Sequence, residues 1–141
     1  MKIFLDANII VSVLNKEYPV YSYTSRILSL ADDKRFEVYT SPICLAIAFY
    51  FAEKKSGTAE AKKKIEILSQ KLGITDVGSD EVAKAITNKK VKDFEDGLEY
   101  YSALKQKCKY IITEDISDYY FSEIAVLNSQ AFIERLIKGR L

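Results

Sequence analysis

The chain is predicted to adopt an α/β fold, with a central, mostly parallel sheet of about five strands flanked by helices. Two patterns predict it. Short β-rich runs alternate with longer segments of helical period, the signature of βαβ units. Two of the runs are also apolar and then meet acids at once. Lys2-Ile3-Phe4-Leu5 leads into Asp6-Ala7-Asn8, and Tyr110-Ile111-Ile112-Thr113 leads into Glu114-Asp115, with Asp118 just beyond. In open α/β folds ligands bind outside the carboxyl ends of the strands. Two buried strands that deliver carboxylates there would concentrate negative charge on one rim, which is costly unless a cation neutralises it.

The strands are expected at Ile3–Leu5, Phe36–Thr40, Ile74–Val77, Tyr110–Thr113 and Ala125–Leu127. One helix is expected between the first two, near Tyr18–Asp32, with Tyr23, Ile27 and Leu30 in its apolar stripe. Ser41-Pro42 opens the next, Ser41 as cap and Pro42 at the tolerated first position. This helix, Ile43–Lys55, is apolar nearly all round and is expected to be buried. Gly57-Thr58 breaks and restarts the chain. Ala61, Ile65, Leu68 and Leu72 then share a face opposite the lysines, and Gly73 is expected to end that helix. A helix from Ser79 to about Thr87 follows. The next is expected to bury a stripe of Phe94, Leu98, Tyr101, Leu104 or Lys105, and Cys108, and a last helix covers Gln130–Lys138.

Composition narrows the chemistry. The 141 residues are 48% apolar and 29% charged, which suits one globular domain spanning 1–141. No stretch approaches the roughly 18 apolar residues of a membrane span, and Asp6 interrupts the first apolar run too early for a secretory signal. A cytoplasmic protein is expected, with Cys44 and Cys108 reduced and buried rather than paired. The chain has no histidine. That excludes Ser-His-Asp and Cys-His catalysis and histidine-bearing zinc sites, and leaves oxygen-preferring ions, Mg²⁺ or Mn²⁺, as the expected cofactors. Net charge is +1, yet lysines cluster at 54–55, 62–64, 89–92 and 105–109. Solvated surface accounts for most such runs; beside an acidic metal site they would also steer a polyanion.

Three acidic positions carry the chemistry. Asp6 ends the first strand, with Asn8 at the next same-facing position. Asp96 lies in Val91-Lys92-Asp93-Phe94-Glu95-Asp96-Gly97-Leu98, near a helix start, on the side shared with Asp93. The Gly97 beside it marks a close approach, since a helix-interior glycine costs about 1 kcal/mol. The third is Thr113-Glu114-Asp115-Ile116-Ser117-Asp118. Each acid alone is explained as a helix cap or a favourable charge on a helix dipole; three on one rim exceed what caps require.

In this ordered set of motifs the chain resembles the PIN-domain nucleases, particularly the small bacterial proteins that include VapC-type toxins. The matching residues are Phe4-Leu5-Asp6-Ala7-Asn8-Ile9-Ile10, the Ser41-Pro42 helix start, Asp93-Phe94-Glu95-Asp96-Gly97-Leu98 and Ile112-Thr113-Glu114-Asp115-Ile116-Ser117-Asp118-Tyr119. The resemblance implies a three-layer α/β/α fold and a metal-dependent endoribonuclease. It places the metal-binding, catalytic acids on Asp6, Asp96 and Asp118, with Asp115 as a further metal ligand where many members have asparagine. Asn8, Thr113 and Asp93 are implied as supporting residues. RNA is the implied substrate, and an antitoxin protein and a homodimer are implied partners.

One departure stands out. The family's usual glutamate in the helix after Ser41-Pro42 falls on Ile47, which cannot bind a metal. Glu53 on the same helix is six residues on and turned to another face, so Asp115 or Asp93 is the expected substitute. Ile47 therefore keeps a rival in view, a PIN-like module that binds RNA or protein without cutting. A phosphatase-like or receiver-like domain with Asp6 as nucleophile is disfavoured, because Asp6-Ala7-Asn8 lacks a second aspartate two residues on.

Overall fold

The computed structural model describes residues 1–141. Five strands, β1 (Lys2–Leu5), β2 (Glu37–Thr40), β3 (Gly73–Ile74), β4 (Tyr110–Ile112) and β5 (Ala125–Leu127), form one sheet in the order β3-β2-β1-β4-β5. All four pairings are parallel. The first strand is thus the central one, as buried Ile3, Phe4 and Leu5 require. Seven helices flank the sheet: α1 (Ala7–Leu14), α2 (Tyr21–Ser29), α3 (Pro42–Ser56), α4 (Thr58–Lys71), α5 (Ser79–Thr87), α6 (Phe94–Lys105) and α7 (Ser129–Ile137).

Successive residues of a strand point to opposite faces, and the core divides accordingly. Ile3 and Leu5 join Ile9, Ile10, Ile27, Leu68, Phe132 and Ile133 on one side. Phe4 joins Cys44, Tyr100, Ala103, Ile111 and Tyr119 on the other. Burying a side chain of this size contributes roughly 1.5–3 kcal/mol, so each face of the sheet has its own layer of cohesion.

Several expectations are corrected. Two helices, not one, connect β1 to β2. The segment Ile9-Ile10-Val11-Ser12-Val13 is rich in β-branched residues of modest helix propensity. It is nonetheless helical, because Asp6 caps α1 and Ile9, Ile10 and Val11 are buried against the sheet. Helix α2 is accordingly shorter than Tyr18–Asp32 and closes in a 3-10 turn over Leu30–Asp32.

Helix α3 is not buried all round. Only Cys44, Ala48 and Ala52 are buried, whereas Tyr50 is 51% and Phe51 44% exposed. The small residues form the packed seam, Leu45 and Ile47 pack against the two cores, and Tyr50 and Phe51 face outward.

Gly57 lies between α3 and α4 with φ 83°, a conformation that favours glycine. Helix α4 ends at Lys71 with Leu72 as its C-cap, so Gly73 follows the helix end as expected. It opens β3 flat beneath Tyr39, whose ring a Cβ there would meet at 2.4 Å. With β3 starting one residue early, it also ends at Ile74 rather than Val77.

The stripe expected on α6 is buried only in part: Leu98 and Cys108 are inside. Phe94 is 48% and Leu104 41% exposed, while Asp96, Gly97, Glu99, Tyr100 and Ala103 are among its buried residues. The helix turns an acid-bearing face inward because its N-terminal half borders the carboxyl ends of the strands. Gly97 fits the close approach expected of it: a Cβ there would meet Val91 Cγ1 at 2.7 Å and Ala85 Cβ at 3.0 Å. Helix α5 therefore packs directly against this turn.

Candidate active site

The carboxyl ends of the central strands open onto a groove of about 360 Å³. Its walls include Asp6, Asn8, Ile47, Asp96, Asp115 and Asp118. Strand β1 delivers Asp6, α1 Asn8, α3 Ile47 and α6 Asp96. The loop and 3-10 turn after β4 deliver Asp115 and Asp118. The three acids singled out from the sequence therefore share one cavity. Glu17 and Glu95 line it too, and no lysine or arginine does.

Asp6 is both a cap and a site residue. Its Oδ1 accepts from the Ala7 amide at 2.8 Å, opening α1, and its Oδ2 accepts from the Thr113 hydroxyl at 2.9 Å. Each carboxylate oxygen is thus held in place while the residue stays 6% exposed. Thr113, the first residue past β4, is the hub of the neighbourhood. Its hydroxyl also accepts from Asn8 Nδ2 at 3.0 Å and from the Asp115 amide at 3.1 Å. Asn8 donates further to Asp115 Oδ2 at 3.3 Å and accepts from the Glu114 amide at 3.1 Å. These bonds lock the loop after β4 to the start of α1. Glu114 turns away, its carboxylate accepting from the Ser129 amide at the start of α7.

Asp93 caps α6, accepting from the Asp96 amide at 3.1 Å. The carboxylates of Asp93, Glu95 and Asp96 lie within 4.8 Å of one another. Asp93 itself is exposed and outside the groove, and its charge helps raise the Asp96 carboxyl. The α6 dipole favours negative charge here, but burial and mutual repulsion oppose it. The carboxyls of Glu95 and Asp96 are both raised well above the ordinary range, first by burial. Asp96 is raised further by Glu95, Asp93 and Asp6, and Glu95 by Glu99, Asp6 and Asp93 against the lowering effect of its hydrogen bond with Asp96. Burial raises Asp6 too, against the lowering effect of its hydrogen bonds.

Three acids that the sequence does not single out belong to this neighbourhood: Glu17, Glu95 and Glu99. Glu95 lines the groove. Glu99 is fully buried just behind it, its carboxylate within 4.8 Å of both the Asp6 carboxylate and the Cys44 thiol. Burial, followed by the charges of Asp6 and Asp96, raises Glu99 to about 7 against the lowering effect of its hydrogen bonds. Glu95 and Glu99 are four apart and Asp96 and Glu99 three apart, the spacings that share a helix face; that was the available signal. Tyr119, buried beside these acids, has its phenol pushed far above its ordinary pKa by burial and by their charge.

Glu53 accepts from Thr58 Oγ1 at 2.9 Å, engaged at the α3–α4 junction rather than lining the groove. Ile47 does line the groove, so the apolar residue faces the acids directly. The donor set is all oxygen along the groove, with one thiol behind, and no basic side chain answers it. Glu99 Oε1 is moreover buried with no hydrogen-bond partner. A hard divalent cation fits those residues.

Of the lysine clusters, the one at Lys89, Lys90 and Lys92 adjoins the site. It lies on the exposed loop leading into Asp93, and Tyr120, beside the Asp118 turn, donates to the Lys90 carbonyl. Lys109 pairs its amide with the Lys2 carbonyl, at the amino end of the sheet and so on the opposite rim. Lys55 and Lys64 donate to the carbonyls of Asn15 and Leu14, at the C-terminus of α1.

The family model described as PIN domain matches residues 2–117. Ribonuclease VapC1 of Aquifex aeolicus (strain VF5) is 31% identical over 141 residues, covering 95% of this chain and 94% of that protein. Among solved structures, VapBC2 from Rickettsia felis bound to a promoter DNA fragment matches with TM-score 0.69 at 20% identity, covering 91% of this chain and 98% of that one. VapBC-1 from nontypeable Haemophilus influenzae matches with TM-score 0.68 at 18% identity, over 92% and 99%. Mycobacterium tuberculosis VapC20, a sarcin-ricin loop cleaving toxin, matches with TM-score 0.65 at 20% identity, over 87% and 98%. At these identities the structural likeness is one of fold.

Proposed function

This chain belongs to the PIN domain family, and from that premise we propose that it is a divalent-cation-dependent endoribonuclease, working with Mg²⁺ or Mn²⁺. The observation that carries the reading is the convergence of Asp6, Asp96 and Asp118 in one groove with no basic side chain to neutralise them. Asp6, Asp96 and Asp118 would hold the cation, with Asp115 beside them. The chemistry a bound cation supplies there is acidification of a water and neutralisation of charge on the attacked phosphate.

The chain's own residues do the rest. Thr113 fixes Oδ2 of Asp6, and Asn8 fixes Thr113 and Asp115, so the acids are oriented before any substrate arrives. Asp93 holds the first turn of α6 and with it Asp96. Lys89, Lys90 and Lys92 lie where the RNA backbone would pass and would draw it toward the acids.

The named relatives extend the reading to a toxin-like role, with RNA as substrate and a small antitoxin as partner, since Ribonuclease VapC1 is a named ribonuclease and two structural neighbours are VapBC assemblies. A homodimer and a cytoplasmic location belong to the same proposal; no helix is long and apolar enough to cross a membrane. The second reading, a PIN-fold module that binds without cutting, is favoured by one observation, the apolar Ile47 in the groove wall.

Cleavage of a panel of structured RNAs by the purified protein in Mn²⁺ or Mg²⁺ separates the two. Cutting abolished by EDTA and by Asp6→Asn is expected. Intact RNA from folded wild-type protein, with retained RNA binding, would favour the binding module.

A further inference from the structure

We propose that Glu99 is the fourth acid of the cation site, reaching it from α6 in place of the acid that α3 lacks at Ile47. The proposal rests on the metal-site reading above and adds to it a residue that the motif pattern does not mark.

Glu99 lies three residues beyond Asp96, so the two share a face of α6, with Glu99 one turn deeper. Its side chain is 0% exposed. The carboxylate crosses the gap to α3, where Oε2 accepts from the Cys44 thiol at 2.5 Å. Cys44 is three residues before Ile47, hence about one turn earlier on the same helix. The charge missing from α3 thus arrives against the inner surface of that helix, supplied by the opposite wall. There it lies within 4.8 Å of Asp6, the most enclosed of the groove acids.

A second observation points to a ligand. Glu99 Oε1 is buried without a hydrogen-bond partner, and so is the hydroxyl of neighbouring Tyr119. No lysine or arginine pairs with Glu99. A carboxylate enclosed by protein with one oxygen unanswered is among the costlier arrangements a fold can hold. A purely structural role would be served as well by an amide or an apolar side chain of the same size. A cation held jointly with Asp6 answers both the charge and the idle oxygen.

Calorimetric titration of the full chain with Mn²⁺ tests this, comparing wild type, Glu99→Gln and the double variant Glu99→Gln/Ile47→Glu, each checked by circular dichroism. Glu99→Gln keeps the shape and the acceptor for Cys44. It is expected to weaken Mn²⁺ binding roughly ten- to hundredfold, and the double variant is expected to regain part of that loss. Equal affinity in folded Glu99→Gln and wild type would overturn the role of Glu99 while leaving the metal site intact. Wild type that takes up no Mn²⁺ would overturn the metal site and this proposal with it.

Should Glu99→Gln not fold, anomalous diffraction from Mn²⁺-loaded wild-type crystals decides. A Glu99 oxygen about 2.0–2.6 Å from the ion is expected. An ion held by Asp6 and Asp96 with Glu99 beyond reach would overturn the proposal.

Discussion

The Thr113 hydroxyl donates to Oδ2 of Asp6 at 2.9 Å, joining two strand ends that lie 107 residues apart in sequence. The same oxygen accepts from Asn8 and from the Asp115 amide, so a single side chain registers three parts of the site. Thr113→Val keeps the shape and removes all three bonds. Asp6 is buried and would be left short of a donor, so stability is expected to fall by about 1–3 kcal/mol in denaturant titrations. RNA cleavage is expected to fall with it, and Thr113→Ser to restore most of both. Unchanged Mn²⁺ affinity and cleavage in the valine variant would sink the orienting role.

Without a divalent ion, the acids should make the protein more stable in mild acid than at neutral pH. Glu99 titrates at about 7 in the folded protein instead of the usual 4.5. The folded state therefore holds more protons than the unfolded state between those values. Its stability contribution is full below about 4.5 and is lost as pH rises through about 7. For Glu99 alone the loss is on the order of 3 kcal/mol, and the raised carboxyls of Asp96 and Glu95 act in the same direction. Thermal midpoints in EDTA are expected to drop from pH 5 to pH 8, and saturating Mn²⁺ to reverse the trend by binding the deprotonated acids. A flat or rising profile in EDTA would contradict this.

Gly97→Ala tests whether the approach of α5 positions Asp96. Propensity alone favours alanine by about 1 kcal/mol, but the new methyl would lie 2.7 Å from Val91 Cγ1 and 3.0 Å from Ala85 Cβ. Overpacking of this kind costs about 1–3 kcal/mol, so a net loss of stability is expected. Because Asp96 is the adjacent residue, weaker Mn²⁺ binding should accompany it. A stabilised variant with unaltered affinity would show that α6 shifts freely.

Reversing Lys89, Lys90 and Lys92 to glutamate should leave Mn²⁺ affinity close to wild type, since none of them lines the groove. RNA cleavage at low salt is expected to fall at least tenfold, and its salt dependence to become shallower, because fewer phosphate counterions are released on binding. Equal cleavage by both proteins at low salt would remove this loop from the RNA path.

The sheet was legible because its strands carry their own boundaries: apolar runs that end at Asp6, Ser41 and Thr113 need no tertiary information. The clustering of Asp6, Asp96 and Asp118 followed from topology, since parallel strands send their carboxyl ends to one rim and the helix that feeds β4 starts there. Two helices were less legible, for different reasons. The β-branched run Ile9–Val13 has the composition of a strand, and only the Asp6 cap and burial against the sheet make α1 helical. On α6 the apolar residues Phe94 and Leu104 mark the wrong face, since the helix buries acids toward the site and leaves those two exposed. Glu99 was hidden for that reason: a fully buried glutamate contradicts the patterning by which interior faces are recognised.

The parallel pairing of β1 with β4 also governs when the site comes into being. Asp6 is synthesised 107 residues before the Thr113 hydroxyl that holds its carboxylate, and β1 likewise well before its partner β4. A nascent chain still short of Asp96 therefore has half a groove, and one short of Thr113 has an unanchored Asp6. Translation itself withholds the completed groove until the final strands emerge, so interrupted products of this gene carry the first acid without the machinery to use it.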